Sequence, residues 1–264
     1  MLIIEFIGPP YSGKSFYKDD LYENLKKKNI DTKDYKKNFL LNVGKCYKLN
    51  LLEKFLFFLA SKKGDNSNRK NLKPKSNYSV KKFNLFRDMQ IKRKNKVFFD
   101  FQNENKNFVK IVENFKSDLN ISEERSNDLN RWFKDLCVSY EVLKKMNKKD
   151  QIVMDSEGFI HRLNSFIITN NNKTFVDEYL LHCPKPDILI LVNENPEICL
   201  ERLRSQKNLE EIKKYENNLH SFYQNSENIF NQVKKKISKS FVINSKNYNK
   251  IKKEIVKSII DEKL

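Results

Sequence analysis

The sequence predicts an α/β protein in which a mainly parallel sheet is covered by helices on both faces. Short apolar runs rich in Ile, Val, Leu and Phe recur along the chain, and most are followed by a segment with helical periodicity. Strands that alternate with helices in this way form parallel sheets. With 264 residues, 39% of them hydrophobic, the chain is long enough for one large domain or two small ones.

The N-terminal segment predicts a strand, a turn, a helix and a second strand. The run LIIEFIG is apolar and rich in β-branched residues, as buried strands are. The following KSFYKDDLYENLKKKN places Phe16, Leu21 and Leu25 at helical spacings, so a helix is expected to begin near Lys14. The segment IDTKDY (30–35) fits a short second strand.

The middle of the chain predicts helices around a basic stretch. LNLLEKFLFFLA (49–60) fits a buried helix, and it is too short and too charged to span a membrane. Residues 61–96 hold 13 Lys or Arg against two Asp, and fit either a mobile solvated insertion or a basic surface for an acidic partner. Helical periodicity returns over 102–147, where Ser122 is typical of a helix start.

The C-terminal half returns to alternating strands and helices. QIVMD (151–155) predicts a buried strand that ends in a carboxylate, and GFIHRLNSFII continues as a helix. PDILILVN (186–193) predicts another buried strand, and PEICLERLRSQ a helix with Pro196 in its first turn. SFVINS (240–245) predicts the last strand, which an amphipathic helix follows.

The net charge of +18 does not by itself indicate a nucleic-acid partner. Of the 52 basic residues only eight are Arg, and the abundance of Lys, Asn and Ile together is typical of AT-rich coding. Arg is the better residue for bidentate phosphate recognition, so its few positions are informative. Nucleic acid is therefore a possible partner that the composition does not favour.

The cysteines and the N-terminus indicate a cytoplasmic protein. The four cysteines contain no C-x-x-C pair, so we expect buried, reduced thiols at Cys46, Cys137, Cys183 and Cys199. The start MLIIEFIGPP lacks the basic region and the cleavage site of a signal peptide. We expect a soluble, cytoplasmic chain without a membrane span.

GPPYSGKS fits the phosphate-binding pattern G-x-x-x-x-G-K-[ST] between a predicted strand and a predicted helix. Its backbone amides and the helix N-terminus are expected to surround the phosphates of ATP, with Lys14 on the β/γ oxygens and Ser15 on Mg²⁺. Tyr11 stands where many such loops carry glycine, and we interpret it as an outward-pointing residue that covers the site. The predicted cofactor-binding residues are Gly8, Pro9, Pro10, Tyr11, Ser12, Gly13, Lys14 and Ser15.

The segment VMDSEGFIHR contains the second set of candidate catalytic and metal-binding residues. Asp155, at the end of a predicted core strand, is placed to hold Mg²⁺ through water or to accept the proton of an attacking hydroxyl; a strand-end cap is the alternative. Glu157 and His161 are four residues apart and are expected on one side of the next helix. A helix-start carboxylate is the alternative for Glu157, and a structural role is the favoured one for His161.

PEICLERLRSQ is the third candidate. Arg202 and Arg204 are placed to close over a transferring phosphoryl group and to neutralise its developing charge. The alternative is an exposed, charged helix.

These segments together resemble the P-loop kinases of the thymidylate kinase and nucleoside monophosphate kinase group. The resemblance rests on IIEFIGPPYSGKS, IVMDSEG, KPDILILVNENPEICLERLRSQ, and YENNLHSFYQNSENIF with FVINSKNYNKIKKEIVKSI. It covers about 1–35 and 127–264, so 36–126 is interpreted as a diverged helical and basic insertion within a single kinase-like domain. The resemblance implies the three-layer P-loop NTPase fold with a five-stranded parallel sheet, Mg-ATP, and phosphoryl transfer to a small acceptor.

The chain departs from that group where the acceptor is held. Ser156 stands where those kinases usually carry Arg, and the predicted lid has one Arg fewer. In thymidylate kinases an arginine on the helix before the strand-end Asp helps to hold the acceptor, and Arg131 is the nearest match. The resemblance therefore carries over the fold and the ATP site better than the acceptor.

The sequence accordingly favours an ATP-dependent kinase with a nucleotide or nucleoside acceptor. In this interpretation Lys14, Asp155, Glu157, Arg202 and Arg204 serve catalysis, with Ser15 and Asp155 on the metal. The acceptor is expected to contact Arg131, Glu157 and Arg162. Two other interpretations stay open: a non-catalytic or switch NTPase whose basic insertion binds a partner, and a polynucleotide kinase that uses the insertion to bind nucleic acid.

Overall fold

The structure is a computed structural model. It describes residues 1–30, 32–34, 93–145, 151–206 and 209–262. The predicted helix at 49–60, Cys46 and residues 61–92 of the basic stretch lie outside the described residues. The chain divides into two compact units, of which the first comprises Met1–Tyr35, Asn107–Arg131 and Lys148–Leu264. The described part of the second unit is 93–106 and 132–145.

The first unit is built on a sheet of five parallel strands in the order β2-β3-β1-β4-β5. This confirms the predicted α/β class and the five-stranded parallel sheet. The strands are β1 (Leu2–Ile7), β2 (Thr32–Asp34), β3 (Ile152–Asp155), β4 (Ile188–Val192) and β5 (Lys239–Ile243). Because all strands run the same way, the segments that follow them meet at one edge of the sheet, where α/β proteins bind their ligands.

Helices occupy most of the remaining described chain. They are α1 (Lys14–Lys27), α2 (Lys106–Ser117), α3 (Glu123–Lys145), α4 (Phe159–Ile167), α5 (Lys173–His182), α6 (Pro196–Gln206), α7 (Leu209–Val233) and α8 (Tyr248–Asp261). A further helical stretch covers 93–104. The predicted start of α3 is confirmed, because the Ser122 hydroxyl accepts a hydrogen bond from the Arg125 amide at 3.3 Å.

The core of the first unit lies on the sheet. β4 is buried throughout, whereas β5 at the edge is mostly half-buried. On α1, Tyr17, Leu21 and Leu25 are buried because residues four apart share one face of a helix. Phe16 is 67% exposed, so its predicted place among the apolar positions of this helix is wrong. It lies one position from Tyr17 and therefore points away from the sheet.

The described part of the second unit is a pair of helical segments with an apolar core. Phe101 and Tyr140 meet edge to face with ring centroids 6.1 Å apart, and Lys94 Nζ lies 3.0 Å from Asp135 Oδ1. Further ion pairs join Lys144 to Glu104 and Lys145 to Asp100. Apolar burial and surface ion pairs together join these two helical segments.

The structure bears on two predictions, for the cysteines and for a membrane span. Among the cysteines that the structure describes, Cys137, Cys183 and Cys199 are buried and reduced, as predicted. Burial raises the pKa of the Cys183 thiol to about 12, so this thiol is protonated and unreactive. Within the described ranges, no helix is long and apolar enough to cross a membrane.

Candidate active site

The predicted phosphate loop connects β1 to α1 and has the backbone that a phosphate loop requires. Gly8 has φ 154° and Gly13 has φ 94°, conformations that residues with a side chain rarely adopt. A Cβ atom on Gly8 would lie 2.6 Å from the carbonyl oxygen of Val192, so the loop passes directly against the end of β4. Both glycines are therefore needed for the path of the chain.

Tyr11 occupies the left-handed region, with φ 62°. This conformation explains why many loops of this pattern carry glycine at the position, since a side chain there costs about 1–2 kcal/mol. The carbonyl oxygen of Tyr11 accepts a hydrogen bond from Arg202 at 3.2 Å, which helps to hold the strained turn.

Lys14 and the start of α1 supply positive potential to the loop. The Lys14 ammonium lies over the loop and donates to the carbonyl oxygens of Gly8 and Pro9 at 2.9 and 2.7 Å. Gly13 is the N-cap residue of α1, so amides that have no partner within the helix follow the loop directly. A helix N-terminus next to a lysine is a site for an anion.

Ser12 adds a buried hydroxyl to the same loop. It is fully buried, and its Oγ has no hydrogen-bond partner among the described residues. A buried hydroxyl without a partner is costly, and a phosphate oxygen is an acceptor that would satisfy it. The loop therefore fits the triphosphate of ATP that the sequence motif implies.

The structure brings one of the two predicted lid arginines to the loop. Arg202 Nη1 donates to Tyr11 O, and its Nη2 lies 3.6 Å from Glu194 Oε2. Arg204 is exposed and pairs instead with Glu216 on α7. Residues two apart lie on opposite sides of a helix, so α6 cannot present both arginines to the same group without moving.

Glu194 is a central residue of the site that the sequence interpretation missed. It follows β4, is 2% exposed, and accepts hydrogen bonds from the amide and hydroxyl of Ser245, both at 3.1 Å. Tyr17 of α1 donates to it at 3.4 Å. The available signal was a carboxylate two residues after a fully apolar strand, because a charge close to a strand end must be paired or exposed.

Asp155 lies at the end of β3, as predicted, and forms a local turn. Its Oδ1 accepts a hydrogen bond from the Glu157 amide at 2.9 Å. The predicted place of Glu157 on the following helix is wrong, because Gly158 is the N-cap residue and α4 begins at Phe159. Glu157 therefore does not share a helix face with His161, and its Oε2 accepts from Arg162 at 3.1 Å.

Glu5 supports this turn from the adjacent strand β1. It is 3% exposed and pairs in register with Asp155, and its Oε1 accepts from the His161 amide at 2.6 Å. A Cβ atom on Gly158 would lie 2.4 Å from the Glu5 carboxyl carbon. Burial raises the pKa of Glu5 to about 8. The sequence signal was a lone carboxylate inside an apolar strand.

Arg131 lies apart from these residues. Its guanidinium is 65% exposed and pairs with Asp128 in its own helix at 2.7 Å. Arg125, six residues earlier, instead joins α3 to α4 by donating to Ser165 O and Thr169 Oγ1, both at 3.1 Å. The structure thus joins Arg162 to Glu157 and leaves Arg131 on the surface of α3.

Ser15 and Asp155 are the residues that would hold Mg²⁺. Ser15 is exposed in the first turn of α1, and Asp155 is half-buried at the end of β3. β1 and β3 are neighbouring strands, so both residues follow the same edge of the sheet. Hydroxyl and carboxylate oxygens are the hard ligands that Mg²⁺ prefers, and the donor set fits the ion.

Comparisons with known proteins found no matching family model and no matching curated protein. Among solved structures the chain is similar to deoxyadenosine kinase from M. mycoides. With bound dCTP that structure has a TM-score of 0.45 and 15% identity, over 99% of this chain and 100% of the other. With the products dCMP and a flexible dCDP the TM-score is 0.46 at 14% identity, over 99% and 100%. With dATP it is 0.42 at 14% identity, over 98% and 100%.

Proposed function

We propose that the chain is an ATP-dependent kinase that transfers the γ-phosphoryl group of Mg-ATP to a small acceptor, with a nucleoside or nucleotide as first choice. The observation that carries the proposal is the pairing of Lys14 and Arg202 on one loop. Lys14 bonds to the carbonyls of Gly8 and Pro9, and Arg202 to the carbonyl of Tyr11. Two cations that contact the same loop are suited to a group whose charge changes during transfer.

We assign different residues to the phosphates, to the metal and to the acceptor. Lys14 and the loop amides hold the phosphates, and Ser15 and Asp155 hold Mg²⁺, which neutralises phosphate charge. Arg202 binds the γ-phosphoryl oxygens, and Arg204 joins it only if its pair with Glu216 opens. Glu157, Arg162 and Arg131 are assigned to the acceptor, and Glu157 and Arg162 are already joined to each other.

Lys14→Ala tests the nucleotide site. The variant loses a charge-assisted contact worth about 1.5–3 kcal/mol, which corresponds to at least about tenfold weaker ATP binding. Calorimetric titration with ATP measures the loss. Lys26→Ala, on the exposed last turn of the same helix, is the control and should bind as the wild type does. Unchanged affinity in Lys14→Ala would remove the loop from the nucleotide site.

An acceptor screen in a coupled ATP assay tests the transfer. The panel contains nucleosides, nucleoside monophosphates and 5′-hydroxyl oligonucleotides, and mass spectrometry identifies the phosphorylated product. ADP release without any product would favour the switch NTPase. Phosphorylated oligonucleotide with steeply salt-dependent binding would favour the polynucleotide kinase. Both rivals assign a role to the basic stretch 61–96, most of which lies outside the described residues.

A further inference from the structure

The Glu194 carboxylate joins three segments of the chain at the edge of the sheet. Oε1 accepts from the Ser245 hydroxyl at 3.1 Å and from the Asn195 amide at 3.2 Å. Oε2 accepts from the Ser245 amide at 3.1 Å and from the Tyr17 hydroxyl at 3.4 Å. The loop after β5, helix α1 and the start of α6 are thus all attached to one side chain.

Burial makes a cation beside the Glu194 carboxylate favourable. With its side chain 3% exposed, the carboxylate is shielded from water, and an isolated buried charge is costly. Among the described residues its recorded ion pair is with Arg202, 3.6 Å away. The same guanidinium donates to the Tyr11 carbonyl, so the charge pair is anchored to the phosphate loop.

We propose that Glu194 is a positioning residue that holds Arg202 on the phosphate loop and connects the loop 244–247 to it. This inference deepens the proposed function, because it assigns the placement of the phosphate-binding arginine to a residue that touches no substrate. Arg202 is then in place before the lid moves, and only Arg204 depends on movement of α6 or α7. In this proposal, phosphate oxygens bind the N–H groups of Arg202 that contact neither Tyr11 nor Glu194.

The hydrogen-bond inventory of Glu194 predicts what an amide would do in its place. The partners of Oε2 are the Ser245 amide, the Tyr17 hydroxyl and the Arg202 guanidinium, and all three act as donors. In Glu194→Gln the NH₂ group would face at least some of these donors in either orientation, and the charge that attracts Arg202 is lost. The variant preserves size and should release Arg202 from the loop.

A double-mutant cycle tests whether Glu194 acts through Arg202. The variants are Glu194→Gln, Arg202→Ala and the double variant, and ATP affinity is measured by calorimetry without an acceptor. We expect about tenfold weaker binding in Arg202→Ala and about three- to tenfold in Glu194→Gln. The double variant should bind within about twofold of Arg202→Ala, because the second change removes a group with nothing left to position. Losses that multiply would overturn the proposal, as would unchanged affinity in Glu194→Gln.

Hydrogen exchange in the nucleotide-free protein separates this inference from the proposed function. The amides of Tyr11, Ser12 and Gly13 should exchange faster in Glu194→Gln than in the wild type, and no faster in the double variant than in Arg202→Ala. This readout requires neither ATP binding nor an acceptor. If the loop amides exchange at the wild-type rate in Glu194→Gln, the inference is wrong even in an active kinase. If the wild type binds no ATP while exchange follows the expected pattern, the proposed function fails and the positioning role stands.

Two further variants guard against loss of fold. Glu197→Gln, on the exposed first turn of α6, is the matched control and should behave as the wild type in both measurements. Glu194→Asp keeps the charge but moves it away from Arg202 by one methylene. If Glu194→Gln does not fold, the double-mutant cycle is repeated with Glu194→Asp. Glu194→Asp should weaken ATP binding less than Glu194→Gln does, and it should cause no further loss of affinity in the Arg202→Ala background. An equal loss of affinity in both backgrounds would show a merely structural role.

Discussion

The end of β1 and the end of β3 are neighbours at the same edge of the sheet, yet they are held in different ways. Beside its local bonds from Lys14, the loop after β1 has long-range support: Arg202 donates to Tyr11, and Gly8 passes close to the backbone of Val192. The turn after β3 is formed mainly by near neighbours in the described chain, Asp155 with Glu157 and Glu157 with Arg162. Glu5 adds long-range support, because its carboxylate accepts a hydrogen bond from the His161 amide.

This difference matches what each end would have to do in a kinase. Every such enzyme binds the same triphosphate, so a rigid loop cross-linked to several elements reduces the cost of placing it. The acceptor varies between enzymes, and a turn built from local contacts can change its side chains without disturbing the sheet. The comparison predicts that substitutions at the loop damage the fold, whereas those at the β3 turn damage activity selectively.

The largest effect is expected for Gly8→Ala. The new Cβ atom would meet a backbone oxygen that cannot rotate away, and the residue would be strained at φ 154°. We expect a loss of roughly 2–5 kcal/mol in the free energy of unfolding, measured by urea denaturation. Gly158→Ala is the counterpart at β3, where the obstacle is the Glu5 side chain, and should cost only about 1–3 kcal/mol. Equal losses would mean that the two ends are equally rigid.

Asp155→Asn should separate activity from fold. The change keeps the shape of the turn and the acceptor for the Glu157 amide, but removes the charge that would organise Mg²⁺. Turnover should fall on the order of 100-fold while ATP affinity and Tm stay within a few-fold and a few degrees of the wild type. Steady-state kinetics with the identified acceptor gives kcat and KM. Near-native turnover would move the metal and catalytic role from Asp155 to Glu157.

Glu5→Gln should alter the pH dependence of stability. Folded Glu5 keeps its proton up to a pKa of about 8, whereas the unfolded chain releases it near 4.5. The stabilisation by protonated Glu5 is therefore complete below pH 4.5 and is lost as the pH rises towards 8. Gln remains neutral, so the variant should gain on the wild type over this range by up to about 1.4 kcal/mol per pH unit.

Thermal or urea unfolding from pH 5 to 8.5, without Mg²⁺ or nucleotide, measures this difference. Glu23→Gln, on the exposed face of α1, is the matched control. A constant difference between Glu5→Gln and the wild type would show that Glu5 is ionised in the folded protein at every pH tested.

The smallest effect concerns Tyr11. If its left-handed backbone is strained, Tyr11→Gly should be more stable than Tyr11→Ala by about 1 kcal/mol, since only glycine adopts this φ without cost. At Glu23, in the middle of a helix, the order should reverse, because glycine is the poorer helix former. Thermal unfolding of the four variants compares them. The same order at both positions would mean that Tyr11 is not strained.

The sequence predicts the strands and the loop because their signals are local. Seven consecutive residues identify β1 as a buried strand, and the spacing of Gly8, Gly13 and Lys14 identifies the loop. Glu194 and Glu5 escaped prediction because their partners, Ser245 and the amide of His161, are 51 and 156 residues away along the chain. The sequence analysis placed Glu157 on the helix because the pattern alone does not show whether the helix begins before or after Gly158. Arg202 and Arg204 look equivalent in sequence and differ only in the side of α6 from which each points.

The strand order has a consequence for how the chain folds during synthesis. β1 is made first but lies in the middle of the sheet, and its two neighbours begin at Ile152 and Ile188. Pairing at such separation in sequence is slow, because a long loop must close before the two strands can form their stabilising contacts. Until β3 and β4 leave the ribosome, both hydrogen-bonding edges of β1 lack their native partners. An emerging chain that stops before Ile152 therefore presents a hydrophobic strand with two unpaired edges, the kind of segment that chaperones bind and that aggregates when they do not.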